Sequence, residues 1–152
     1  EKIRTIKIIA INRKGKPLNR YEDLYKSKTI GILRNTFFGE RFDTDSRLKF
    51  KRSSTYEVMI KQLGKARIDT ATGNAIILSY LFSKLDMSRK IELPGIMLTE
   101  KEQWFQMSRK SRHLDKLPII RRAIRELKSD GTFDSILTKH VGNNWRIINR
   151  IN

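Results

Sequence analysis

Cysteine is absent from this 152-residue chain. That excludes disulfides and thiolate metal sites and leaves the compartment open. Histidine is scarce: His113 and His140 stand far apart and show no HExxH-type spacing, so a histidine metal site would need carboxylate help. The longest apolar run falls far short of the about 18 residues that a membrane span requires, and no signal peptide is visible. There is no Walker loop, no GxGxxG, no GxSxG elbow and no pairing of a nucleophile with a base, so the sequence argues for no catalysis and for no cofactor. Repeats and low-complexity tracts are lacking as well. What the chain does have is basic charge. Lys and Arg number 33 against 16 Asp and Glu, a formal net charge of +17. Such an excess attracts anything anionic, whether nucleic acid, lipid or small acidic ligand, and says nothing about fold. A nucleic-acid binder gathers its charge on one face or tail. Here it is spread along the whole length, so a solvated basic surface is the simpler reading. An apolar content of 38% suffices for the core of one ordinary domain.

Apolar patterning then divides the chain. "TIKIIAI" (5–11) reads as a strand, followed by a turn segment punctuated by Gly15 and Pro17. "YEDLYKSK" (21–28) is at most a two-turn helix, "TIGIL" (29–33) a buried strand, 37–42 a helix weakened by Gly39, and "KFKRS" (49–53) a strand. Ser54 and Glu57 have the spacing of a capping box for a helix that runs to a C′ glycine, Gly64. "RIDTAT" (67–72) is the next strand and "NAIILSYLFSKL" (74–85) the next helix. Strands follow at 89–95 and 103–109. Two helices close the pattern. One, at 117–131, carries Leu117, Ile120, Ile124 and Leu127 on one face; the other, at 132–142, has Thr132 as its cap, and an irregular or strand-like tail follows it.

Strands alternating with helices imply an α/β fold, a Rossmann-like, mostly parallel sheet with helices on both faces. Ligands of such sheets gather beyond the C-terminal ends of strands. Two loops qualify: Arg34-Asn35-Thr36 after "TIGIL", and Gly73-Asn74 after "RIDTAT". Asn74 sits at the seam between a strand and an apolar helix. It either caps that helix, for which Asn is among the best residues, or faces a ligand, and both roles are compatible.

Three segments carry a family resemblance. "EDLYKSKTIGILRNT" looks like the entrance and anion-holding turn of the bacterial extracellular solute-binding proteins of the polar amino-acid class (family 3). "STYEVMIKQLGKARIDTATGN" resembles their L-x-x-G-R-(V/I)-D-A segment, and "PIIRRAIRELKSDGTFDSILTKHVG" their closing helices with the Asp-Gly turn. The segments follow the family order over residues 5 to 142. The resemblance implies one lobe of a two-lobed protein of the periplasmic-binding-protein type II kind that closes on a small solute without chemistry. It implies a first crossover strand at 1–11, a second-lobe α/β domain at 12–102, and a return crossover strand with C-terminal helices at 103–152. Those helices pack on a first lobe in the family, and that lobe, with its ligand-gripping arginine, has no counterpart here. The implied setting is the periplasm, beside an ABC-type membrane transporter or as a sensor, with any export signal upstream of Glu1.

Mapped on this chain, the implied ligand-binding residues are Arg34, Asn35, Thr36, Phe37 and Asn74. Backbone amides at a helix start, aided by the Thr36 hydroxyl, would receive a carboxylate. The family often has Gly at position 35 and a hydroxyl residue at position 37; Asn tolerates the tight turn. It has a carboxylate at position 74, and an amide there forfeits a charge-assisted contact to an α-ammonium worth about 1.5–3 kcal/mol. The ligand is then amino-acid-like or anionic rather than a standard amino acid, or binding has been lost and the lobe serves only for interaction. Plainer roles stand beside these: Thr36 as a cap, Arg34 as one of many basic residues, Trp104 and Phe105 as core, and Asp69 as structural. Glu40, Asp43 and Asp45 read as surface acids. The alternative function is a basic module for nucleic acid or another polyanion, which steep salt dependence would reveal. The apolar stripes of the last two helices, without their usual cover, imply self-association or a separate first lobe.

Overall fold

In β1 (Lys2–Arg13) successive side chains point to opposite faces: Ile8 and Ala10 join one apolar cluster, Ile9 and Ile11 the other. This strand therefore has to lie between two layers. A computed structural model of the chain describes residues 1–143, 145, 146 and 151. Among them β1 is joined by β2 (Ile30–Leu33), β3 (Phe50–Ser53), β4 (Thr70–Asn74) and β5 (Ile91–Trp104) in one sheet of order β3-β2-β4-β1-β5. β2 pairs in parallel with β3 and β4, while β1 is antiparallel to both β4 and β5. Four strands thus run one way and β1 the other, which is the mostly parallel α/β sheet that the sequence implies.

Helices α2 (Tyr56–Gly64) and α3 (Ala75–Lys84) cover one face through Met59, Ile60, Leu63, Leu78, Leu81 and Phe82. The other face is covered by the 3₁₀ turn Tyr21–Lys26, the short α1 (Glu40–Asp43) and the loops beside them, through Leu18, Leu24, Phe38, Phe42 and Leu48. Two longer helices, α4 (Leu117–Ser129) and α5 (Thr132–Val141), form a hairpin at the margin. Within α4 only Ile124 is buried, and Ile119 is 67% exposed. Ile151 nonetheless returns to the α2–α3 core, where its carbonyl accepts from Lys7 Nζ at 2.8 Å.

Several boundaries differ from the sequence reading, each for a local reason. The cap of α2 is Thr55, whose hydroxyl accepts the Val58 N–H at 3.2 Å. Ser54 is not the cap, and Glu57 pairs with Lys61 instead of reaching back. Gly64 ends α2 itself; a Cβ there would meet Met87 Sδ at 2.9 Å, while the left-handed turn residue is Ala66, at φ 56°. The helix expected at 37–42 begins only at Glu40, because the Asp43 carboxylate takes the N–H groups of Phe38 and Gly39, both at 2.7 Å. Asp43 and Asp45 are consequently structural rather than loose surface acids; Asp45 binds Arg47 and the Tyr25 hydroxyl. Thr132 is the first residue of α5, and the cap position is Gly131, at φ 78°. The strands expected at 89–95 and 103–109 are one strand, β5, and 105–109 is not part of it. The segment expected to begin the return crossover at 103 instead ends β5, which pairs with β1 from Lys2 to Arg13. Most of the expected irregular tail (144, 147–150 and 152) lies outside the described residues.

Candidate functional site

The register of β2 on β4, with Ile30 opposite Thr70 and Gly31 opposite Ala71, sends both strands to the same end of the sheet. Parallel neighbours lie about 4.8 Å apart, so the tips Arg34–Phe37 and Gly73–Asn74 emerge side by side. Thr72 Oγ1 fastens the pair by donating to the Gly31 carbonyl at 2.8 Å. β3 ends there too, and its Ser53 carbonyl accepts the Arg34 N–H at 3.0 Å. All five residues mapped from the sequence are therefore brought to one end of the sheet.

At the first tip Asn35 adopts φ 57°, the left-handed conformation that Asn tolerates better than most residues. This turns the chain so that the N–H groups of Asn35, Thr36 and Phe37 have no acceptor among the described residues. Successive free amides of this kind form a concavity suited to an anion. They do not belong to a helix start, as the sequence reading had it: the Thr36 hydroxyl donates to the Leu33 carbonyl at 2.8 Å, and α1 begins four residues later. Arg34 is exposed and has no ion-pair partner among the described residues. The Phe37 ring is 61% exposed at the rim. Its carbonyl accepts from Lys101 Nζ on β5, which ties the tip loop to the β1–β5 ribbon.

The second tip resolves the double role of Asn74. Its Oδ1 accepts the N–H of Ile76 at 2.9 Å and of Ile77 at 3.3 Å, so it caps α3. With Oδ1 committed inward, the Nδ2 hydrogens are left as donors. Beside it lies Tyr56, which the sequence reading did not select. The Tyr56 hydroxyl accepts the Asn74 N–H at 3.3 Å. Burial pushes its ionisation upward, opposed in part by that N–H, so it remains a neutral phenol with a proton to donate. The ring lies so close over Gly73, at φ 154°, that an added Cβ would stand 2.2 Å from Tyr56 Cε1. A glycine closing a strand was the one available signal for this aromatic contact. Ser53, buried with its Oγ unpartnered among the described residues, was also missed, since nothing in the sequence distinguishes it from other serines.

The assembled edge is rich in donors: three backbone amides, a guanidinium, a carboxamide NH₂ and a phenol. Such a set receives carboxylate or similar oxygens and offers no negative charge at Asn74 for an ammonium group. Among the described residues no cluster of His, Asp or Glu has the arrangement of a metal site, and no helix is long and apolar enough to cross a membrane.

The fold is that of a lobe of the periplasmic-binding-protein type II kind. No protein-family model and no curated protein sequence matches the chain. Solved structures do. The GluR0 ligand-binding core from Nostoc punctiforme in complex with L-glutamate matches with a TM-score of 0.69 at 18% identity, covering 93% of this chain and 63% of that one. A mutant of ArgBP from T. maritima matches with a TM-score of 0.66 at 20% identity, covering 92% and 59%. The solute receptor for L-cysteine of Neisseria gonorrhoeae matches with a TM-score of 0.57 at 14% identity, covering 90% and 54%. At these identities the likeness establishes the fold, and the chain spans about 60% of the length of the structures it matches.

Proposed function

We propose that this lobe binds a small solute without transforming it, as half of a clamp that closes on an amino-acid-like or anionic ligand. The observation that carries the reading is the meeting of two strand tips with unpaired donors, Asn35 to Phe37 on one and Asn74 with Tyr56 on the other. The fold supports it, since the matched structures include a glutamate-bound ligand-binding core and a solute receptor for cysteine. By the same analogy the working place is the periplasm or the cell exterior, with a membrane transporter or receptor as partner. Arg34, Asn35, Thr36, Phe37 and Asn74 are the ligand-contacting residues of this reading, and Tyr56 joins them. The crossover strands β1 and β5 act as the hinge. The apolar side of α4 and α5 then takes the cover of a second copy or of a first lobe. Donors without a matching carboxylate favour the anionic end of the ligand class: a dicarboxylate or acyl amino acid over a plain α-amino acid.

Titration of the ¹⁵N-labelled protein with dicarboxylates and with α-amino acids tests this. Saturable shifts of the Asn35, Thr36, Phe37 and Asn74 amides by a dicarboxylate are expected. The Asn74→Asp variant keeps the cap and adds charge. It should lose dicarboxylate affinity and gain α-amino acid affinity by about tenfold or more, the equivalent of one charge-assisted hydrogen bond. Dicarboxylates and amino acids that leave these amides unmoved at millimolar concentration would refute the reading.

A further inference from the structure

At the opposite end of the sheet β2 and β4 begin and β1 ends, and a cavity of about 230 Å³ opens there. Its wall comes from three elements: Arg13 and Lys16 at and after the end of β1, Lys28 and Thr29 before β2, and Arg67 and Asp69 before β4. The antiparallel pairing of β1 with β4, with Asn12 opposite Thr70, is what brings these segments together. Four cations face one carboxylate. Asp69 is 5% exposed, and one of its oxygens, Oδ1, receives both Arg13 Nη2 at 2.9 Å and Lys16 Nζ at 3.0 Å. Its other oxygen accepts the Lys28 N–H at 2.8 Å. Both of its oxygens are thus directed to holding the wall in place. Lys28 and Arg67 keep exposed, charged heads with no ion pair among the described residues. The Arg13 Nε is buried and has no acceptor among the described residues. The wall therefore contains more donors than the chain itself satisfies, in a space several times the roughly 30 Å³ that one water occupies.

From this juxtaposition we infer that Arg13, Lys16, Lys28 and Arg67 form a second site, which binds a small oxyanion of the phosphate class. It is separate from the strand-tip edge: the strands between them are four or five residues long, about 15 Å at the rise of an extended chain. It does not depend on what the tips bind. Asp69 orients Arg13 and Lys16, and the unpaired Lys28 and Arg67 supply the attraction. A guanidinium together with ammonium groups suits the several oxygens of a phosphate. The same chemistry is offered by free phosphate and by the phosphate of a lipid headgroup.

The experiment is a titration of the ¹⁵N-labelled protein with inorganic phosphate at low ionic strength. A parallel binding assay uses phosphatidylcholine vesicles with and without phosphatidic acid. Saturable shifts of the Thr29, Arg67, Ile68 and Asp69 amides are expected, with the Asn35–Phe37 amides less affected. The double variant Lys28→Gln/Arg67→Gln should weaken binding by about tenfold or more. Arg121→Gln/Lys139→Gln removes equal charge from exposed positions of α4 and α5 and should leave binding within about twofold, if a site rather than net charge is responsible. Phosphate saturation identifies a soluble ligand, and vesicle binding alone, lost in the same double variant, identifies a headgroup. Equal weakening by both double variants, shifts spread over the whole surface, or no response in either assay would overturn the proposal. Melting curves confirm folding, and Lys28→Gln alone serves if the double variant is unstable.

Discussion

Asp69 shows how a single side chain can organise one end of a sheet. Burial pushes its pKa up, but donors from Lys16, Arg13 and the Lys28 backbone outweigh burial, and the net shift is downward. A carboxylate with a lowered folded-state pKa stabilises the fold above its unfolded value, about 3.9. That contribution disappears as pH falls through the folded value. Asp69→Asn should therefore cost about 2 kcal/mol near neutrality, less than the loss of a fully buried pair because Arg13 and Lys16 remain partly solvated. It should also flatten the loss of stability below pH 4, the acid region in which the wild-type carboxylate becomes protonated. Urea unfolding of both proteins across the acid range measures the two effects together. A variant as stable as the wild type at pH 7 would show that the three donors are satisfied equally well by water. Sequence reading placed Asp69 as structural and gave it no chemistry. The residue type was visible, but its partners come from positions 13, 16 and 28, which only the fold brings near.

At the scale of elements, the strands that the sequence disclosed are those whose burial writes a pattern. β2 and the centre of β1 carry β-branched or alternating apolar residues because each has a packed face. β5 was divided because only its first half has such a face. Ile91, Gly95 and Ile96 are sheltered, whereas Thr99 to Trp104 are half-buried or exposed, and that stretch is a strand because β1 pairs with it. Pairing leaves no mark in a polar run such as "TEKEQ". The same limit applies to the candidate site: Asn35, Thr36 and Asn74 were legible as strand ends, while Tyr56 and Ser53 arrive from an adjoining strand and helix. The register of β5 also carries an irregularity, between the pairs Ala10–Ile96 and Asn12–Glu92. Gly95 lies within it at φ 79°, where an added Cβ would stand 2.5 Å from the Ala10 carbonyl oxygen. Gly95→Ala should cost about 2–3 kcal/mol, from left-handed strain and from a clash with a backbone atom that cannot rotate away. Chemical denaturation checks the magnitude. Hydrogen exchange should show the loss concentrated at the β1–β5 pairing, since this is the ladder the clash pries apart. Gly15→Ala, at φ 81° with open space around it, gives the comparison in which strain acts alone.

The whole molecule sets two opposed forces against each other. A net charge of +17 on 152 residues drives copies apart over a Debye length of about 10 Å at 0.1 M salt. The α4–α5 hairpin pulls the other way, with Ile119 at 67%, Ile136 at 49% and Leu127 at 36% exposure. Side chains of this kind, if wholly covered, contribute about 1.5–3 kcal/mol each, so a few of them suffice for association once repulsion is screened. Arg121, Arg122, Arg125 and Lys128 lie on the same helix, so the apolar face is ringed by like charge and the balance depends on ionic strength. The expected behaviour is a monomer at 20 mM salt and increasing self-association toward 500 mM, followed by sedimentation velocity at fixed protein concentration. Ile119→Glu/Ile136→Glu should keep the chain monomeric throughout without lowering its melting temperature, because neither side chain is part of the two core clusters. Association that weakens with salt would instead place the contact between basic and acidic surfaces, and association unchanged in the double variant would move it away from the hairpin. Because the strand tips lie at one end of the sheet and the hairpin at its margin, addition of a tip-binding dicarboxylate should alter association only if a second copy supplies the other wall of the clamp. A ligand-dependent change in sedimentation that disappears in Asn74→Asp would join the two surfaces in one closing motion.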